Sequence, residues 1–129
     1  MSDLNVTIKT TGPLFDGRAE RALVDGITDS TEHVSQAAYD TVQADMSASF
    51  RNPTGFYQSR VTVDRSSGDR FRVHDDMVIY GPWLEGVSFR NASTRFKGYS
   101  HWRRTTQVID QRAVGLFEQV FDRYVSRMR

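Results

Sequence analysis

Leu23, Ile27, Val34, Ala38, Val42 and Met46 recur at spacings of four or seven residues. That period predicts one amphipathic helix over about residues 17–50, ~50 Å long if continuous at ~1.5 Å per residue. Gly26 and the cluster Thr28, Asp29, Ser30 and Thr31 are the points where it would bend or break. The alanines Ala37, Ala38, Ala44 and Ala48 allow another element to approach closely. A second stripe, Ile109, Ala113, Leu116, Val120 and Tyr124, widened by Phe117 and Phe121, predicts a helix over about 101–127. Gly115 lies inside it and costs ~1 kcal/mol against alanine.

Between the helices the period changes from helical to two. Tyr57, Ser59, Val61 and Val63 alternate with polar residues, as do Phe71 and Val73 after the turn Ser66-Ser67-Gly68-Asp69. The pattern predicts a hairpin. Asp75-Asp76 turns the chain into a third strand, Met77–Tyr80. At the N-terminus Leu4, Val6 and Ile8 alternate with Asn5, Thr7 and Lys9, so residues 3–10 predict a half-buried strand ended by Gly12-Pro13. Asp16 is a candidate N-cap of the first helix, and Arg51-Asn52-Pro53-Thr54-Gly55 stops it. The expected fold is α+β: a small antiparallel sheet of three to four strands, with a long N-terminal helix and a C-terminal helix packed on its apolar face.

A chain of 129 residues makes one domain, 1–129, with a modest core. Its apolar fraction is 38%, low enough that neighbouring subunits are expected to supply part of the stability. There is no cysteine, so thiolate chemistry and disulfides are excluded. MSDLNVTIKT has neither the basic nor the apolar region of a signal peptide, and no run approaches the ~20 apolar residues of a membrane helix. The net charge of +1 hides an asymmetry. Residues 1–50 carry eight acids and three bases; residues 51–129 carry fourteen bases and eight acids. Either the molecule has two differently charged solvated faces, or the acidic face of one subunit meets the basic face of the next in a head-to-tail ring.

The stretch from Met77 to Arg104 carries the functional signal. Gly81-Pro82 breaks the preceding strand, and Trp83-Leu84 follows as a large apolar pair before Glu85. From Val87 to Tyr99 nothing is periodic, yet the segment holds Phe89, Phe96 and Tyr99 together with Arg90, Arg95 and Lys97. It leads into Trp102, Arg103 and Arg104 at the start of the last helix. Long aperiodic loops usually have a job, and aromatics with arginines are the residue types that anchor interfaces. The candidate interface residues are therefore Tyr80, Trp83, Leu84, Glu85, Phe89, Arg90, Arg95, Phe96, Lys97, Tyr99, Trp102, Arg103 and Arg104. The expectation is a loop mobile in the monomer and ordered on assembly.

Catalysis finds little support. His74-Asp75-Asp76 is the best local metal or acid–base candidate, but no second His or Cys lies near it, so it reads as a turn with solvated acids. His33 and His101 are isolated and read as surface or capping residues. No phosphate-binding glycine loop, GxSxG or HExxH occurs. No enzyme activity, metal or cofactor is expected.

YGPWLEG, followed by the basic-aromatic RFKGY and an amphipathic helix, resembles the neck and tail-completion proteins of long-tailed, siphovirus-type phages. Tyr80, Gly81, Trp83, Leu84 and Glu85 fit the family's Tyr-Gly-x-aromatic-Leu-Glu block; where many relatives end the loop in an apolar, proline-containing segment, this chain has RFKGYSHW. The resemblance implies a structural virion protein: a tail-completion or tail-terminator ring, hexameric by analogy. Such a ring joins the tail-tube protein to the head-side connector or stopper protein. DNA passes through its lumen without sequence-specific contact. It implies assembly in the host cytoplasm, residence in the virion and no membrane partner.

Two alternatives stand beside this. One is the head-side stopper ring of the connector. The other is a small basic nucleic-acid-binding module, because five cations and no acid lie between Glu85 and Asp110 with aromatics among them.

Overall fold

The computed structural model describes residues 3–7, 17–51, 55–67 and 69–128. The fold is α+β. Strand β1 (Asp3–Thr7) precedes helix α1 (Gly17–Ser49), a short helix α2 (Phe56–Arg60), and the hairpin β2 (Thr62–Ser67) and β3 (Arg70–His74). Two further short helices, α3 (Gly81–Glu85) and α4 (Phe89–Ser93), lead to α5 (His101–Val125), which ends in a single 3₁₀ turn, Ser126–Met128.

Helix α1 is continuous through Gly26 and Thr28–Thr31. The hydroxyls do not break it because they bond back along the helix: Thr31 Oγ1 donates to the Ile27 carbonyl at 2.6 Å and Ser35 Oγ to that of Glu32 at 2.8 Å. Gly26 has a packing role, since a Cβ there would lie 2.9 Å from Tyr124 Cβ. Helix α5 runs antiparallel to α1, joined by Asp29 with Tyr124, His33 with Gln119, and Asp45 with Arg104. His33 is thus tied to the partner helix.

The sheet is antiparallel in the order β1-β3-β2. Register places Leu4 and Val63 beside Val73, and Val6 beside Phe71, so these residues share one face. That face meets the helices. Val6, Val34, Ala38, Val42, Met46, Tyr57, Val61, Val73, Trp102, Ile109 and Leu116 form one core. The opposite face carries Arg70 and Arg72, with Arg72 held by Asp3 at 3.0 Å.

Four expectations need correction. Tyr57–Arg60 is helical; four alternating residues also fit one helical turn, and the strand begins only at Thr62. Met77–Tyr80 is no strand, because Asp76 and Met77 both take left-handed backbone angles, φ 57° and 56°. The place beside β3 goes to β1 instead. Gly81-Pro82 opens a helix, the proline sitting in its first turn where a missing N–H costs nothing. Segment 87–100 folds on itself around α4. The expected strand beyond Thr7, the Gly12-Pro13 stop, the Asp16 cap and the Asn52–Thr54 turn lie outside the described residues.

Candidate functional site: the 77–104 end of the molecule

The site begins where β3 ends. The Asp75 carboxylate is 2% exposed, accepts the Tyr57 hydroxyl at 2.7 Å and the Met77 N–H at 3.1 Å, and leaves Gly81 no room for a Cβ. Trp102 Nε1–H donates to the Tyr57 oxygen at 3.1 Å, extending the chain of bonds into α5. Burial raises the Tyr57 pKa far above its ordinary value, keeping the phenol a donor to Asp75. His74 Nδ1 accepts the Asp76 N–H at 2.9 Å, while its Nε2 meets Asp64 and Asp76 meets Arg60. His74, Asp75 and Asp76 therefore each face a different internal partner. Among the described residues no group of three His, Cys, Asp or Glu side chains converges as metal ligands do.

These bonds hold two successive non-glycine residues in a conformation costing ~1–2 kcal/mol each. The result is an apolar turn pushed outward: Met77 is 84% exposed and Ile79 96%. Tyr80 packs one side on the Tyr57 ring at 5.9 Å and leaves the other in solvent.

Residues 81–100 follow as a strap fastened to α5. Glu85, 5% exposed, accepts the Trp102 N–H at 2.8 Å on Oε1 and the Arg103 N–H at 3.1 Å on Oε2. A carboxylate from another element thus caps α5, whose own N-cap Ser100 makes no side-chain cap bond. Burial raises the Glu85 pKa, partly offset by those two N–H groups. The strap closes where Gly86 and Gly98, both at positive φ, cross too tightly for a Cβ on either. The Tyr99 N–H donates to the Leu84 carbonyl at 2.7 Å and the Ser100 N–H to that of Glu85 at 3.1 Å.

Within the strap, Asn91 does the work that periodic apolar residues do elsewhere. It is 3% exposed; its Nδ2 donates to the carbonyls of Trp83 and Phe96, both at 3.1 Å, and its Oδ1 accepts the Ser88 N–H at 3.0 Å. Lys97 Nζ donates to the Asn91 carbonyl at 2.8 Å. Trp83 packs tilted against Phe96 at 4.9 Å, Phe96 edge-on against Tyr99 at 5.0 Å, and Tyr99 tilted against Phe50 at 4.5 Å. Leu84 packs on the core edge.

The candidate residues therefore divide. Glu85 and Trp102 are interior, and Trp83, Leu84, Phe96, Lys97 and Tyr99 build the strap. Arg104 makes two bonds to Asp45, at 2.8 and 2.6 Å, and Arg103 reaches Ser100 Oγ at 3.3 Å. Tyr80, Phe89, Arg90 and Arg95 face outward: Phe89 is 87% exposed, and the two guanidinium groups bond to none of the described residues. Sequence reasoning missed Met77 and Ile79 as surface residues, having paired them in a strand. It also missed Asn91, for which only the Ser88 spacing gives a signal. His101, expected as a surface or capping residue, is fully buried as the first residue of α5, whose N-cap is Ser100.

Comparison with known proteins finds no matching family, no matching curated protein and no matching solved structure. Among the described residues no helix is long and apolar enough to cross a membrane.

Proposed function

We propose that this chain is a structural protein of a tailed-phage virion, a tail-completion or tail-terminator ring joining the tail tube to the head-side connector around a DNA channel. The observation that carries the reading is the outward apolar turn: Ile79 at 96% and Met77 at 84% exposure, on backbone held by Asp75, Tyr57 and Gly81. Burying apolar surface at ~25 cal/mol per Å² favours association, and a turn already fixed loses little entropy when it docks. Phe89, with Arg90 and Arg95 beside it in sequence, adds a second anchor of the kind found at interface centres.

The nucleic-acid alternative is weakened by where the aromatics go. Trp102 is buried and Phe96 and Tyr99 are half-buried against neighbouring rings, leaving Phe89 as the strap's exposed ring. A single-strand surface needs a row of such platforms. The head-side stopper ring remains the alternative within the class.

The test is the mass of the purified protein, alone and mixed with tail-tube or head-side connector subunits, for wild type and Ile79→Asp. Wild type should form a closed multimer or a complex with one of these partners. Ile79→Asp should stay a folded monomer, because so exposed a residue contributes nothing to the core. A wild type that remains monomeric with both partners would reject the reading. Salt-sensitive DNA affinity of that monomer would support the nucleic-acid module instead.

A further inference from the structure

His101 is the first residue of α5 and has no solvent exposure. Its ring stands edge-on to Phe50 at 5.2 Å and to Tyr57 at 5.7 Å, and lies tilted to Trp102 at 5.9 Å. Neither ring nitrogen has a hydrogen-bond partner among the described residues. The nearest acid is Glu85, whose Oε1 lies 3.5 Å from Nδ1, too far for a hydrogen bond, and already accepts the Trp102 N–H. The other charged or titratable groups around it are committed elsewhere. Asp45 of α1 and Arg104 of α5 hold each other, and the Tyr57 hydroxyl of α2 is bonded to Asp75. A neutral imidazole tolerates this site. An imidazolium would have only Glu85 Oε1, 3.5 Å from Nδ1, on one side, and would leave the Nε2 donor buried without an acceptor among the described residues.

We propose that His101 is a proton-operated release for the strap: charging its ring unhooks residues 81–100 from the N-terminus of α5. The strap holds α5 through the Glu85 carboxylate, and the Leu84 and Glu85 carbonyls close the strap on Tyr99 and Ser100 just before His101. Glu85 is the strap residue beside the ring, so lifting the strap would open the ring to water on that side. Once there the imidazole charges near its ordinary 6.5, whereas burial holds it at about 4 in the closed molecule. Between those values the open state binds a proton that the closed state does not, so acid favours opening. Glu85 works the other way. Its carboxyl is raised by burial, so the closed state takes up that proton more readily and Glu85 opposes release. The open strap would present the face of Tyr99 that packs on Phe50, beside the already exposed Met77–Tyr80 turn.

Hydrogen exchange of the full chain from pH 7 to pH 5, corrected for the intrinsic rate, tests this. The reporters are the amides of Tyr99, Ser100, Trp102 and Arg103, whose acceptors all belong to Leu84 and Glu85. In wild type their protection should fall by up to ~20-fold over that range, while the core amides of Val42 and Ile109 hold. His101→Phe should flatten the fall, and Glu85→Gln should steepen it. Should His101→Phe fail to fold, the wild-type imidazole titration decides: His101 should stay neutral at pH 5. Any of four results would overturn the proposal. These are pH-independent protection in wild type, an equal fall in His101→Phe, a joint fall of strap and core amides, or a His101 ring that charges near 6.5 with the strap still protected.

Discussion

At the scale of single residues, the most instructive side chain is Glu85. Its place beside Trp83 and Leu84 makes it look like part of an exposed anchor, yet it caps a helix that begins sixteen residues later. Removing it orphans two N–H groups of α5 inside the protein, so Glu85→Ala should cost ~1–3 kcal/mol, read as a lowered urea midpoint at unchanged slope. Glu85→Gln keeps one good acceptor and should lose about half as much. A Glu85→Ala midpoint equal to wild type would mean that α5 is not held by this carboxylate. Asp45 gives a second residue-scale expectation. Burial pushes its carboxyl up, but the bonds from Arg104 and Ser49 outweigh this and leave it below its ordinary 3.8. A group depressed in the folded state adds stability above its unfolded value and loses it as pH falls through the folded one. Arg104→Ala should therefore reduce stability at neutral pH and narrow the gap to wild type in strong acid.

At the scale of elements, two glycines in the paired long helices should respond oppositely to the same change. Gly115 has nothing within 4 Å of where its Cβ would be, so Gly115→Ala should gain ~1 kcal/mol from helix propensity alone. Gly26 faces Tyr124 Cβ at 2.9 Å and a Phe121 ring carbon at 3.1 Å, so there the same gain is offset by pushing α5 away from α1. Thermal melts of the two variants should move in opposite directions; a Gly26→Ala melt that rises as much as Gly115→Ala would mean the helices are not in close contact there. These helices were legible because seven or more turns repeat one period, and a long repeat has one physical meaning. The four-residue runs 57–60 and 77–80 were not, because alternation over so short a stretch fits a strand and a helical turn alike. What decided them was remote: Tyr57 had to reach Asp75 and Trp102, and Asp75 had to close a turn over Gly81. The strap was illegible for a related reason. It is organised by one buried asparagine and a glycine crossing, which leave no periodic trace. The mix of aromatics and arginines singled out residues 77–104 as the candidate; which of those residues face outward it did not show.

At the scale of the whole molecule, the acidic first part and basic remainder of the chain partly satisfy each other within one copy. Asp45 with Arg104 and Asp3 with Arg72 each join an acid from the first fifty residues to a base beyond them. Such half-exposed pairs are worth ~0–1 kcal/mol and use charges that a head-to-tail contact would otherwise need. The exposed apolar residues are different, since Met77, Ile79 and Phe89 find no covering surface among the described residues. If assembly follows the neck-ring proposal, apolar burial should hold it and charge should only set its register. Raising sodium chloride from ~0.05 M to ~1 M shortens the screening length from over 10 Å to ~3 Å, so a contact held by Arg90 and Arg95 against acids would weaken sharply. A contact held by Ile79 and Phe89 would survive and would strengthen in sulfate. Light scattering across that series should give a constant assembled mass in chloride and a lower dissociation concentration in sulfate. Dissolution of the assembly by ~1 M chloride would reverse the assignment, making the arginines the anchors and the apolar turn a bystander.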